Sequence, residues 1–193
     1  LKDLRAGVSI STVNAVRPGL IPQFSCMKAQ SFASKRVKQF PVIVDEKLDG
    51  VRTLCIVDFN SGDMEFVSRA GKPFTSFDHL KPQIMNLESV TSEGGAGNDD
   101  GLHIGHSNRW VFDGEVVSGI FNDTVSQVRK KNVNAKDARF YIFAAMRYSE
   151  FLNGQSQQSN YKMRTSLSDA LTEVVKSLPN VDLLPFKLMH SVE

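Results

Sequence analysis

Cysteine is scarce in this chain: Cys26 and Cys55 are the only two among 193 residues. Two cysteines give no disulfide framework. Cys55 lies within the apolar run Leu54–Val57 and is expected to be a buried thiol. No stretch reads as a signal peptide or a membrane span, so the default setting is reducing and cytoplasmic, without a membrane partner. Excess charge is missing too. A formal net charge of +2 is too small to announce a nucleic-acid partner by itself. The glycines at 94, 95 and 97 lack the following Gly-Lys-Ser/Thr of a phosphate-binding loop. His103 and His106 have a metal-like spacing but no cysteines and no third ligand nearby, which argues against zinc.

What remains is an ordinary amount of apolar material in an informative order. At 41% hydrophobic content, 193 residues can bury one sizeable core. The chain reads as one domain without a linker. Residues 1–20 are weakly patterned. Residues 30–38 suit a short helix, and strands are predicted at 41–47, 51–58 and 64–68, with Asn60-Ser61-Gly62-Asp63 as a hairpin turn. A helix is expected over 77–88 and a glycine-rich loop over 92–108. Strands at 110–117 and 139–146 bracket a helix near 122–131. The spacing of Met163, Leu167, Leu171, Val174 and Val175 predicts a helix over 161–178, with Arg164 as an ion-pairing surface residue on it. A strand from Val181 to Leu188 follows. Mainly antiparallel strands with interspersed helices make this an α+β domain.

Chemistry concentrates in Glu46-Lys47-Leu48-Asp49-Gly50-Val51-Arg52, directly after the apolar run Val42-Ile43-Val44. A glycine beyond a strand lets the backbone turn sharply. That turn holds a lysine amine at the strand end, with an arginine reaching back toward it. A lysine amine becomes a nucleophile once it loses its proton, which burial or nearby cations favour. An arginine offers a fixed fork of donors for phosphate oxygens. Asp45, two residues before Lys47 on an alternating strand, shares the lysine's face. Asp49 is expected to order the turn through its own backbone. Farther along come Val67-Ser68-Arg69-Ala70-Gly71, then Val111-Phe112-Asp113-Gly114-Glu115-Val116-Val117, then the aromatic strand Phe140-Tyr141-Ile142-Phe143.

The order and spacing of these segments resemble the covalent nucleotidyltransferases: ATP-dependent DNA ligases, with RNA ligases and mRNA capping enzymes as relatives. Lys47–Arg52 is similar to the family's first motif, Asp113–Glu115 to its third, and Tyr141–Met146 to its adenine-stacking segment. The resemblance covers roughly residues 20–190 and is strongest to the short DNA ligases of bacteriophages. Ala144 stands where the family has an aspartate. The Glu-Gly motif with its downstream lysine, and the Lys-x-Lys strand, do not occur before Glu193. The resemblance therefore implies a nucleotidyltransferase (ATP-grasp-like) adenylation domain of mixed, mainly antiparallel sheets flanked by helices. It is expected to lack its final motifs and the OB-fold domain that usually follows.

The same resemblance implies an activity: nick sealing in double-stranded DNA through a lysine–AMP intermediate, with ATP and Mg²⁺, by a monomer. Lys47 is the implied nucleophile. Asp45 is the implied acceptor for the adenine amino group, and Glu46, Arg52 and Arg69 are implied nucleotide ligands. Glu115 would contact the ribose or hold the metal through water. Asp113 is expected to be structural. Phe143 is the candidate for stacking on adenine, with Tyr141, on the same face, as runner-up. Lys35, Arg36 and Lys38, and the later cluster Arg129, Lys130 and Lys131, are candidate DNA contacts; each could equally be a solvated helix face. An RNA ligase or capping-type enzyme, or a non-catalytic nucleic-acid-binding module of the same fold, are the alternatives.

Overall fold

The computed structural model describes residues 8–18, 20, 26, 31–90, 109–118, 135–154 and 160–191. The predicted helix at 122–131, all of the glycine-rich loop at 92–108 with both of its histidines, and the Arg129–Lys131 cluster lie outside them. Helix α1 (Ile10–Val16) forms in the weakly patterned start. Its N-cap is Ser9, whose Oγ accepts the Thr12 N–H at 3.1 Å.

Two sheets follow. A six-stranded sheet has the order β4 (Pro73–Phe74), β3 (Met64–Ser68), β2 (Val51–Asp58), β5 (Arg109–Val117), β6 (Arg139–Arg147), β7 (Val181–Leu183). All its pairings are antiparallel except β6 with β7. A separate two-stranded sheet pairs β1 (Val42–Asp45) with β8 (Phe186–Met189), antiparallel, with Asp45 opposite Phe186. The α+β expectation holds.

Burial follows from these layers. β2 is enclosed on both faces, which is why Leu54-Cys55-Ile56-Val57 is an unbroken apolar run. On one face Cys55 and Val57 join the main core with Phe66, Phe77, Phe112, Phe140 and Ile142. Helices α2 (Lys81–Met85) and α4 (Asn160–Val175) cover that core through Ile84, Leu167, Leu171 and Val175. On the other face Leu54, Ile56, Val67 and Val111 form a smaller cluster, packed by Met146, Tyr148 and Phe151. Tyr148 and Phe151 lie on α3 (Tyr148–Asn153).

Four expectations need correction. The helix at 30–38 is a single 3-10 turn, Ser34–Arg36. Its segment offers no apolar stripe to bury, and Phe32 is 78% exposed. The helix at 77–88 is one turn of α-helix between two 3-10 turns, Asp78–Leu80 and Asn86–Val90, with Pro82 in its first turn. The single strand 181–188 is two strands in different sheets. Leu184 N–H still bonds Ile142 O at 2.8 Å, but Pro185 has no N–H to continue the ladder. Arg164 is buried rather than on the surface, for reasons that belong to the site. The hairpin at 60–63 forms as expected: Gly62 takes φ +76, and the Asp58 carboxylate accepts the N–H groups of Asn60 and Ser61.

Candidate active site

The site lies between the second face of the large sheet and the β1–β8 pair. Lys47 is exposed in the connection from β1 to β2. That connection ends at Gly50, pressed onto β5. A Cβ there would overlap the Val116 carbonyl oxygen and sit 2.9 Å from Glu115 Cγ. The glycine is required by this close approach. It also lets the Gly50 N–H reach the Glu115 carboxylate. Burial raises the Glu115 carboxyl above its usual range, and the Lys47 charge and the Gly50 N–H draw it partly back. Lys47 and Glu115 therefore face each other electrostatically across the turn.

Arg52 stands opposite Glu115 in the β2–β5 register. Its guanidinium is gripped by the next acid along β5: Nε donates to Asp113 Oδ1 at 3.0 Å and Nη2 to Oδ2 at 2.6 Å. This bidentate fork fixes the plane of the arginine. Burial raises the Asp113 carboxyl and the arginine opposes that shift, while the hydrogen bond to Asp113 raises Arg52. The guanidinium carbon lies 5.4 Å from the centre of the Phe143 ring.

Phe143 owes its position to an irregularity in β6. The β5–β6 register steps from Gly114 opposite Ile142 to Asp113 opposite Ala144, leaving Phe143 unmatched. A bulge re-aims side chains and changes which alternate positions share a face. Before it, Phe140 and Ile142 enter the main core; after it, Ala145 does. Phe143, Ala144 and Met146 line a cavity on the opposite side.

That cavity has a volume of about 500 Å³, within the usual range for a small-molecule site. Ile43, Asp45, Arg52, Asp113, Phe143 and Arg164 contribute to its wall. Arg164, from α4, reaches the wall from within. Nη1 donates to Phe143 O at 2.9 Å, and Nη2 donates to Leu184 O at 3.1 Å and to Asp45 Oδ2 at 3.0 Å. Its guanidinium also lies 5.1 Å from the Phe186 ring centre. Burial pushes the Arg164 guanidinium down, and Asp45 offsets part of that.

The structure thus brings Asp45, Arg52 and Phe143 to the wall of one cavity, while Lys47 and Glu115 are not among its lining residues and interact electrostatically across the Gly50 turn. Tyr141 does not line the cavity; it pairs in register with Glu115 and lies under Arg139, 5.9 Å from ring centre to guanidinium. Glu46 is exposed beside Lys47, and Arg69 is exposed in the turn after β3. Lys35, Arg36 and Lys38 are exposed on and beside the 3-10 turn. Several lining residues were not anticipated as such, among them Cys26, Ile43 and Arg164. The Cys26 thiol is raised by burial and by Asp113. Arg164 did leave a signal, since it sits three residues before Leu167 and seven before Leu171, inside the apolar stripe of its helix. A charged residue in such a stripe needs buried partners.

Among the described residues, no group of three or more His, Cys, Asp or Glu is placed to hold a metal. Glu115 can still serve Mg²⁺, which usually takes one or two carboxylates and completes its shell with water and phosphate.

The family model of the ATP-dependent DNA ligase domain matches residues 26–183. This chain belongs to that family. The DNA ligases of Enterobacteria phages T4 and T6 are each 32% identical to it over 121 residues, a stretch covering 61% of this chain and 23% of either relative. The chain therefore matches under a quarter of the length of those phage ligases. Among solved structures, Pmar-Lig_Pre superposes with a TM-score of 0.71 at 28% identity, covering 97% of this chain and 41% of its own. The ATP-dependent DNA ligase of bacteriophage T7 in complex with ATP superposes with a TM-score of 0.63, covering 86% of this chain and 55% of its own. At 17% identity that likeness speaks for the fold alone. No helix among the described residues is long and apolar enough to cross a membrane.

Proposed function

We propose that this chain is the adenylation domain of an ATP-dependent DNA ligase that seals nicks in double-stranded DNA, and that Lys47 is its nucleophile. The observation that carries the reading is a nucleotide-sized cavity walled by Asp45, Arg52 and Phe143, with Lys47 two residues beyond Asp45 in a turn whose Gly50 is pressed onto Glu115.

Each side chain has a part. Lys47 Nζ, deprotonated, attacks the α-phosphorus of ATP; a P–N bond forms, the P–O bond to pyrophosphate breaks, and the amine proton passes to solvent. Asp45 accepts a hydrogen bond from the adenine amino group, and Phe143 stacks on the base. Arg52, held flat by Asp113, donates to ribose or phosphate oxygens, with Arg69 and Glu46 as further nucleotide contacts. Glu115 orients the ribose or holds Mg²⁺ through water; when bound, Mg²⁺ neutralises phosphate charge. The AMP then passes from Lys47 to the 5′-phosphate at the nick, and the 3′-hydroxyl displaces it to join the strand. These are in-line displacements that depend on positioning and charge neutralisation. Lys35, Arg36 and Lys38, with Arg129, Lys130 and Lys131, are the proposed phosphate contacts on DNA.

The test is covalent. Incubating the full-length protein with labelled ATP and Mg²⁺ is expected to add one AMP, located by mass on the peptide containing Lys47. Lys47→Ala is expected to give no adduct while keeping its fold. Undiminished labelling of that variant would remove Lys47 from the reaction.

A further inference from the structure

The wall of the cavity is built from two sheets that share no strand, and one side chain ties them together there. Arg164 bonds Phe143 O on β6, Leu184 O on the connection from β7 to β8, and Asp45 Oδ2 on β1. It also lies against Phe186, the β8 residue directly opposite Asp45. The arrangement is lopsided. The Arg164 side chain is 7% exposed and anchored by two backbone carbonyls, while the Asp45 side chain is 40% exposed and faces the cavity. Arg164 can hold its place without Asp45. Asp45, near the end of a two-stranded sheet, has no other hydrogen-bonding side chain among the described residues to fix it.

A carboxylate that must read the edge of a base has to present one oxygen at a set place, or the gain from its hydrogen bond is lost to the entropy of ordering it. Arg164 occupies Oδ2 and leaves Oδ1 without a hydrogen-bond partner among the described residues. The same guanidinium fixes the backbone oxygen of Phe143, so the edge-reading acid and the stacking ring are set relative to each other by one group. We propose that Arg164 is a positioning residue for base selection: it fixes Asp45 against Phe143 so that the pocket favours a purine carrying a 6-amino group. This rests on the adenine-reading role given to Asp45 above.

The test compares ATP with purine riboside triphosphate, which lacks the 6-amino group, as donors for single-turnover adenylation of Lys47 in the full-length protein. The wild-type protein is expected to reach half-saturation at a lower concentration of ATP than of the analogue. Asp45→Ala should erase that preference. Arg164→Lys should raise the half-saturating ATP concentration by about tenfold, the scale of one lost hydrogen bond to a charged group. It should raise the analogue's half-saturating concentration by a clearly smaller factor, because the analogue shares the stacking on Phe143 but makes no bond to Asp45. The double variant should show no preference, like Asp45→Ala alone. If Arg164→Lys weakens both donors equally and keeps the preference, Arg164 only supports the fold and the proposal falls while the role of Asp45 stands. If Asp45→Ala keeps the preference, or the wild-type protein shows none, the base-reading role falls and takes the proposal with it.

Discussion

Two arginine–aspartate pairs flank one cavity and are built in opposite senses. In Arg52–Asp113 the acid is the more enclosed partner, with side-chain exposures of 24% for the arginine and 10% for the aspartate. In Arg164–Asp45 the arginine is the enclosed one, at 7% against 40%. The first pair is bidentate and joins neighbouring strands of one sheet. The second is a single 3.0 Å contact between a helix and a different sheet. All four side chains contribute to the cavity wall, and in each pair the enclosed member holds the more open one. Asp113 thus aims a cation, suited to phosphate or ribose oxygens, and Arg164 aims an acceptor, suited to an amino group.

The contrast predicts unequal damage. Asp113→Ala removes the bidentate partner of Arg52 on β5 and leaves a guanidinium half-buried beside it. Breaking a buried pair from one side is costly, and the loss should be about 3 kcal/mol, at the low end of that range because Arg52 keeps some water. Urea unfolding of the variant measures it through the midpoint at constant slope. A loss no larger than that of Asp45→Ala would erase the distinction between the pairs.

Glu115 is a third acid at the site, and among the described residues no arginine grips it. Its carboxyl is raised chiefly by burial. A raised folded-state value means the folded protein binds this proton more tightly than the unfolded chain. The resulting stability is fully present below the unfolded value and is lost as pH rises through the folded one. Glu115→Gln is therefore expected to melt higher than wild type at pH 7 to 8, with the advantage vanishing as pH falls into the carboxylate range. Nick sealing by the same variant should drop by about 10²-fold, as for one lost preorganised electrostatic partner. Melting curves at several pH values, together with sealing rates, check both signs. A variant that melts lower throughout would show that the Lys47 and Gly50 contacts outweigh burial.

How far the sequence reached depends on distance along the chain. Lys47, Gly50 and Arg52 fall within six positions, so a short connection and the start of β2 place them. Asp113 and Glu115 were legible as a motif, although the grip on Arg52 spans 61 positions and needed the β2–β5 register. Arg164 meets Asp45 across 119 positions, through a helix packed on the sheet and a strand that changes sheets at Pro185. No local period encodes such a meeting. The break of 181–188 into two strands was missed for the same reason, because its apolar residues serve two different layers. The bulge at Phe143 was invisible as well, since alternation alone puts Ala144 and Met146 on the core face and not beside Phe143.

That bulge yields a smaller prediction. Phe143→Ala should weaken ATP binding by about 2 kcal/mol, the scale of a lost stacking platform, and Tyr141→Ala by much less. Equilibrium titration with ATP separates them. The reverse order would assign stacking to Tyr141 and leave Phe143 as the support for Arg52.

The smallest effect expected is the stability change at Asp45 itself. Asp45→Ala removes one acceptor from Arg164, but the Phe143 and Leu184 carbonyls and the Phe186 ring remain in place. Asp45 is also open to water, which screens its attraction to the arginine. The loss should be about 1 kcal/mol or less, as for a largely exposed pair. Added salt should change it little, because the contact is short and most of the arginine's anchoring is to neutral oxygens. Urea unfolding at low and high salt measures both. A loss approaching that of Asp113→Ala would mean Asp45 carries the buried charge of Arg164, and the direction of control between the two would have to be reversed.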